Sequence, residues 1–325
     1  MANILVTGGA GYIGSHTAKA LHRAGWTPVV VDSLENGHDW AVKWGPLIHA
    51  DIADREAVRD ALDEYQPQGV IHFAAFIEAG ESVRNPLSFW LNNVAKTAVF
   101  LDELRAFGSV PLVFSSTAAV YAPSDSPLGE DAPLGPANPY GRTKLAVEEM
   151  LADLVAARGG AVAALRYFNA CGADAEGELG EAHDPETHLI PILIEVLRGQ
   201  RGKAQIFGED YPTPDGTCVR DYIHVEDLAR AHVMTLDWLR ANPGFHRFNV
   251  GTGAGHSVRA VVEAVKRVGA CDFDVAPAPR RAGDAASLVA DPSRIEQAMG
   301  FRAEKAGLDD MVGSALRWAQ RGGGR

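Results

Sequence analysis

The sequence predicts an α/β protein built on a doubly wound parallel sheet, with a smaller, discontinuous C-terminal lobe. Three observations predict it. Short apolar runs rich in β-branched residues alternate with helical patterns through the first half. Strands this apolar are buried on both faces, as in sheets covered by helices on each side. Glycines 8, 11 and 14 follow the first of those runs, and Asp32 ends the second.

Taken in order, strands are expected at Ile4–Thr7, Pro28–Asp32, Leu47–Asp51, Gly69–Phe73, Leu112–Ser116 and Val162–Phe168. Helical patterns near Gly11–Gly25, Asp54–Tyr65, Pro86–Phe107 and Pro139–Arg158 lie between them. Such crossovers are right-handed and leave the sheet parallel. After about Asn169 the regularity breaks. A Gly-, Asp- and Pro-rich loop (172–187) precedes a helix at Leu189–Arg198, and a second loop spans Gly208–Arg220. A helix near Val225–Arg240 and a strand at Arg247–Val250 read as a return to the large sheet. Helices near Val258–Val268 and Leu308–Gln320 follow, and Arg321–Arg325 reads as a frayed tail. This divides the chain into a Rossmann-type nucleotide-binding domain, 1–170 with returns near 220–250, and a discontinuous substrate lobe, 171–325.

Composition narrows the class. The 325 residues are 46% hydrophobic and 22% charged, as in a soluble globular protein. With 30 basic against 42 acidic residues the net charge is −12, which repels nucleic acid and anionic membranes. Cys171, Cys218 and Cys271 are too few and too scattered for a disulfide framework or a zinc site, so a reducing cytoplasm is expected. No run of about 18 apolar residues is available to span a bilayer, and no basic n-region precedes the first strand.

The glycines form G-x-x-G-x-x-G between a strand and a helix. That spacing gives a tight turn, close approach of backbone N–H groups to a pyrophosphate, and a small residue where helix meets strand. Asp32 lies 18 residues after Gly14, where a carboxylate accepts hydrogen bonds from a ribose diol and repels a 2′-phosphate. NAD is therefore expected rather than NADP. Gly8, Gly11, Tyr12, Ile13 and Gly14 form the cradle; Asp51-Ile52 ends the third strand and can cap a helix or contact adenine. Phe73-Ala74-Ala75 ends the fourth with small residues that let the cofactor pass.

Tyr140 and Lys144 stand four residues apart on one helical face. Alone such a pair is usually a solvated surface pair. Downstream of a nucleotide loop it describes a tyrosine whose phenolate is favoured by a neighbouring ammonium. Ser115-Ser116-Thr117 ends the fifth strand, at the sheet edge where ligands bind. A hydroxyl there can hold a substrate oxygen against Tyr140.

The chain resembles the extended short-chain dehydrogenase/reductases, and among them the UDP-glucose (UDP-galactose) 4-epimerase family, over nearly its whole length. The pieces that carry this are Val6-Thr-Gly-Gly-Ala-Gly-Tyr-Ile-Gly-Ser-His16, His72-Phe-Ala-Ala75, Gly80-Glu-Ser-Val83, Leu165-Arg-Tyr-Phe-Asn169, Asp210-Tyr-Pro-Thr213, Val219-Arg-Asp-Tyr-Ile-His-Val225 and Pro279-Arg-Arg-Ala-Gly-Asp284. The resemblance implies that Tyr140 takes the proton from the sugar 4-hydroxyl, Thr117 positions that oxygen, and Lys144 bridges the nicotinamide ribose. It implies that Asn92, Ser115 and Tyr167 also line the NAD site. On the UDP-sugar side it implies Asn169, His188, Leu189 and Tyr222, with Phe207 flanking uracil. Arg220, Arg281 and Asp284 would grip diphosphate and ribose, although in an acidic protein the arginines could also be ordinary ion-pair partners. A homodimer through helices near 86–107 and 139–158 is the family expectation.

Departures from the family pattern qualify this. Ile77-Glu78 stands where many members carry a cofactor-reaching lysine, Lys96 where many have glycine, and His188 where many have asparagine. His183-Asp-Pro-Glu-Thr-His188 contains a proline and lacks the i,i+4 spacing of a helical zinc site, so a loop over the substrate diphosphate is expected rather than a metal site. Leu288 matches a position that gates the sugar pocket; its bulk favours UDP-glucose and UDP-galactose over N-acetylated sugars. Ala118-Ala119 replaces the Asp-Glu pair that 4,6-dehydratases need for eliminating water, and the missing glutamate counts against decarboxylation too. UDP-pentose epimerisation leaves little trace in the motifs and stays open. A non-catalytic NAD-binding regulator is the alternative from another class, but it has no use for Tyr140, Lys144 and the arginines together.

Overall fold

In a computed structural model, described over residues 1–124, 126–281 and 284–323, the apolar runs of the first half become six strands. They are β1 (Asn3–Thr7), β2 (Thr27–Asp32), β3 (Leu47–His49), β4 (Val70–His72), β5 (Leu112–Ser115) and β6 (Ala161–Tyr167). The segments between them hold α1 (Tyr12–Arg23), α2 (Arg55–Tyr65), α3 (Ala79–Arg84), α4 (Pro86–Phe89), α5 (Lys96–Phe107) and α6 (Pro139–Arg158). The second half adds β7 (Asn169–Cys171), α7 (Leu189–Leu197), β8 (Ala204–Phe207), β9 (Val219–His224), α8 (Val225–Leu239) and β10 (Gly244–Val250). It ends with β11 (Gly255–Ser257), α9 (Val258–Gly269), β12 (Val275–Ala278), β13 (Ser287–Leu288), α10 (Ser293–Met299) and α11 (Leu308–Gln320).

The large sheet has seven strands in the order β10-β6-β5-β4-β1-β2-β3, every pair parallel. The chain runs outward from β1 to β3, then crosses back and runs outward from β4. The strand order therefore reverses between β1 and β4, and a crevice opens at the carboxyl ends there. Period-two alternation splits the core. Ile4, Val6, Ile71 and Leu165 pack beneath Leu21 of α1 and Leu228 and Leu236 of α8. Leu5, Val29, Phe114 and Ala164 pack beneath Leu62 of α2, Phe100 of α5 and Val147 of α6. The expected return of 225–250 is real: α8 packs on α1, and β10 extends the sheet beside β6.

The second lobe forms around β9, which pairs with β7 and β13 in parallel and with β11 antiparallel. Its core joins Leu193 of α7, Val261 and Val265 of α9, and Val312 and Leu316 of α11. Sequence pattern gave the three helices but not β7, β8, β9, β11, β12 and β13. These strands are two to six residues long and lie within Gly-, Pro- and Asp-rich sequence, so their order comes from pairing with distant segments. The helix expected at Pro86–Phe107 is interrupted, because Trp90–Ala95 forms a π-helical turn between α4 and α5. Asn93 in that turn accepts from Phe76 N (2.8 Å) and donates to Phe76 O (2.9 Å), which ties the break to the cavity wall. The tail is anchored at its start: Arg321 donates to Glu176 O at 2.7 Å and Gly322 N to Ala319 O. Gly324 and Arg325, and Ala282 and Gly283 of the Pro279–Asp284 motif, lie outside the described residues. Among the described residues no helix is long and apolar enough to cross a membrane.

Several histidines are buried in this frame without a charge partner that would hold them protonated. His232 of α8 packs against Phe73 and Tyr167, its Nδ1 lies 2.8 Å from Leu228 O, and its Nε2 has no partner among the described residues. Burial pulls its pKa from 6.5 to about 4. Between those values the unfolded chain binds the extra proton, so stability falls as pH falls through the window. His232→Leu is expected to remove on the order of 3 kcal/mol of that acid loss. Urea unfolding at pH 6.5 and pH 4 measures it, and an equal loss in both proteins would contradict the assignment.

Candidate active site

The carboxyl ends of β1, β2, β4, β5 and β6 border a cavity of about 310 Å³. Its floor is the glycine loop. Gly8 leaves β1 at φ +70°, and a Cβ there would lie 2.6 Å from Ala74 N, so the turn closes against the end of β4. A Cβ at Gly14 would lie 2.2 Å from Gly8 O, which fixes how closely α1 sits on the loop. Gly11 is different. A side chain there would meet only Gly8 O, at 3.4 Å, so what it would fill is the cavity. Gly11 also starts α1 with no side-chain cap, which leaves first-turn N–H groups free for an anion.

Asp32 lines the cavity and also braces it, since its carboxylate accepts from Ala10 N and Leu34 N, each at 2.9 Å. Asp51 accepts from Ala53 N at 2.8 Å and pairs with Lys96 Nζ at 2.5 Å. An open cradle, an uncapped helix start and a carboxylate ending β2 fit a dinucleotide with a free ribose diol.

Tyr140 lies in the first turn of α6, set there by Pro139 at the first helical position and by Asn138, whose Oδ1 accepts from Gly141 N at 2.9 Å. Burial pushes its phenol up to about 12, a hydrogen bond with Thr117 pulls it back, and the Glu78 carboxylate pushes it further up. Lys144 is buried, and desolvation draws its pKa down to about 7. Its Nζ donates to Ser115 O at 2.8 Å and sits 5.0 Å from the Phe114 ring centre. The lysine bonds the end of β5, and the hydrogen bond with Thr117 opposes part of the burial effect on Tyr140. Spacing put both groups on one helical face but could not tell where a flexible amine would bond. Ser115 Oγ is 2.5 Å from the Tyr167 hydroxyl, which fixes both at the wall.

All the expected NAD residues except Lys144 line this cavity, from Gly8 through Asn92 to Tyr167, and Thr117, Asn169 and His188 line it too. The other expected substrate residues do not. Leu189 starts α7, and Tyr222 is buried in β9 opposite Asn169 of β7. Phe207, at the end of β8, lies under the Arg281 guanidinium at 3.9 Å. Arg220 donates to Ala285 O at 2.9 Å and approaches Asp284 at 3.7 Å. Leu288 pairs with Arg220 across β13 and β9, and packs on the cluster holding Ala118 and Phe168. These residues form a second group of two arginines, an aromatic face and a carboxylate on the adjoining lobe.

Sequence reasoning missed Glu181 and Asn36-Gly37 in the lining. Asn36-Gly37 is a turn signal that could have been read. In the cavity lining Glu181 Oε1 lies 2.7 Å from His188 Nδ1, and Glu186 Oε1 lies 3.1 Å from the same nitrogen. Tyr12 closes the wall between them and the glycine loop, donating to Gly172 O at 2.6 Å.

Comparison with known proteins agrees with this geometry. A UDP-glucose 4-epimerase of Rhizobium meliloti (strain 1021) is 46% identical over 320 residues, 98% of this chain and 97% of that protein. The crystal structure of UDP-glucose 4-epimerase from Brucella ovis in complex with NAD is 47% identical, with a TM-score of 0.94 over 98% of each chain. The enzyme from Stenotrophomonas maltophila, with bound NAD and formylated UDP-arabinopyranose, is 40% identical with a TM-score of 0.95 over 99% of each chain. The pattern of the NAD dependent epimerase/dehydratase family matches residues 4–251, from β1 to just past β10. Since that span takes in every strand of the large sheet, the chain belongs to the NAD dependent epimerase/dehydratase family.

Proposed function

We propose that this chain interconverts UDP-galactose and UDP-glucose by NAD-dependent epimerisation at C4 through a transient 4-keto sugar. The observation that carries it is the buried pair of hydroxyls, Tyr140 and Thr117, facing the same cavity as the glycine cradle, in a chain so similar to UDP-glucose 4-epimerases. NAD, when bound, would supply the acceptor and donor of hydride at C4. The glycine loop and the start of α1 would hold its pyrophosphate, and Asp32 its adenosine ribose. We assign Lys144 to the nicotinamide ribose.

Tyr140 is the proton acceptor in this reading. Its high pKa in the protein alone means that the phenolate forms only when positive charge is brought beside it, which couples proton removal to an occupied site. Thr117 holds O4 in line with the phenol. Asn169 and His188 would approach the diphosphate, with Phe207, Arg220, Arg281 and Asp284 taking the uridine end. Holding the nucleotide on one lobe leaves the sugar free to turn over within the cavity. Residues 1–170 with α8 and β10 would thus serve NAD, and most of 171–325 the UDP-sugar. We assign Leu288, packed beside Ala118 and Phe168, to the gate that would exclude an N-acetyl group.

A homodimer belongs to the same reading. Val83 (64% exposed), Leu87 (65%), Trp90 (38%) and Leu91 (54%) form an apolar strip along α3, α4 and the π turn, more than a solitary surface needs. Light scattering should give twice the chain mass of 34.6 kDa, and a monomer at working concentration would contradict the pairing.

Tyr140→Phe tests the base directly. Turnover of UDP-galactose is expected to fall by about 10² to 10⁴-fold, with bound NAD and the melting curve unchanged. The wild type, assayed alongside, should use UDP-N-acetylgalactosamine far less well. Full turnover in the variant would refute the proton-acceptor role, and equal use of both sugars would refute the gate at Leu288.

A further inference from the structure

Glu181, Glu186 and His183 take no part in the chemistry assigned above, yet they converge with His188 on one point. One ring nitrogen or carboxylate oxygen from each of the four lies within 4.8 Å of all the others. Three contacts are closer: Glu181 Oε1 to His188 Nδ1 at 2.7 Å, Glu181 Oε1 to His183 Nδ1 at 3.1 Å, and Glu186 Oε1 to His188 Nδ1 at 3.1 Å. A tetrahedral ion with bonds of about 2.0–2.1 Å spaces its ligands about 3.3 Å apart. The donors need to spread by about 0.2 to 0.6 Å along those edges, and the wider pairs to close toward the same spacing, to receive one.

Charge points the same way. The Glu181 and Glu186 side chains are 7% and 6% exposed, and among the described residues neither carboxylate pairs with a lysine or arginine. Burial disfavours the charged form of His188, but Glu181 and Glu186 outweigh it and hold the imidazolium, so His188 is the cluster's cation until a metal replaces its proton. The backbone that carries them is held from outside: Trp318 Nε1 donates to Glu181 O at 2.9 Å, and His38 Nε2 is 2.7 Å from Ala182 O. A nearby acidic group shows the contrast. Asp174, Glu176 and Glu178 also converge, but Lys19 Nζ lies 2.6–2.8 Å from all three and occupies the cation's place.

We propose that Glu181, His183, Glu186 and His188 bind a first-row divalent cation, zinc foremost, at the lining of the cavity. Two imidazoles and two carboxylates suit zinc, and four protein ligands close its coordination shell. Such an ion activates no water. It staples the 181–188 loop between α1 and α11. The helical-spacing argument against a metal does not apply here, because the donors at 181, 183, 186 and 188 come together in a loop.

The test uses full-length protein freed of metal by a chelator and titrated with Co²⁺, then with Zn²⁺. Expected are the intense visible bands of tetrahedral Co²⁺, saturating near about one equivalent and erased by Zn²⁺. His183→Gln and Glu186→Gln should each weaken binding at least about tenfold. No such bands at millimolar Co²⁺, or an unchanged titration in both variants, would overturn the proposal. Crystals of the wild type soaked in Zn²⁺ decide the matter even if a variant does not fold. An anomalous peak among the four side chains supports the site, and none there overturns it. Neither readout depends on turnover, so the epimerase reading stands or falls separately.

Discussion

Burial of Tyr140 and Lys144 behind one wall is the constraint on which the rest of the structure depends. Each is driven toward its neutral form, the phenol up to about 12 and the amine down to about 7. A site that keeps both groups dry has to hold α6 against β5 without water between them. The sequence does so with bonds at several levels. Thr143 Oγ1 donates to Tyr140 O at 2.7 Å and accepts from Asn93 of the π turn at 3.2 Å. Further along α6, Glu148 takes Ser116 Oγ at 2.5 Å and Arg166 Nη2 at 2.6 Å, with both partners of that ion pair fully buried. Removing one charge of such a pair strands the other, at about 3–5 kcal/mol. The helix that carries the phenol is thus locked to β5 and β6 at the level of their carboxyl ends.

Placement of the ligand halves follows from topology. The strand-order reversal between β1 and β4 opens the nucleotide crevice, and β7 then carries the chain from β6 into the second lobe at Asn169. Two residues along the chain, from Tyr167 to Asn169, lead from the end of β6 in the large sheet to β7 of the second lobe. The arginines lie on that lobe, away from the glycine loop, so two anionic groups can be held without sharing donors. Leu288 of the second lobe packs on the cluster that holds Ala118, next to Thr117.

Much of this was legible in the sequence wherever a local rule governs. Gly8 and Gly14 are dictated by a positive φ and a backbone contact, Asp32 by a strand end, and Tyr140 by a helix start with Asn138 and Pro139 ahead of it. What escaped is non-local. The π turn at Trp90–Ala95 depends on Asn93 reaching Phe76, and β9 exists only because three distant strands flank it. Lys144 was placed on the correct face, but its bond to Ser115 O depends on a strand 29 residues earlier. Glu181 and His188 gave no periodic signal, because a loop rather than a helix joins them.

The central claim is that Tyr140 takes the proton of the 4-hydroxyl while NAD, when bound, would supply the acceptor for the C4 hydride, and that both return to the sugar without release. Following UDP-galactose labelled with deuterium at C4, in purified protein with no NAD added, tests this most directly. The account predicts UDP-glucose with the deuterium still on C4. Product with hydrogen there, or no product until NAD is supplied in the medium, would contradict it.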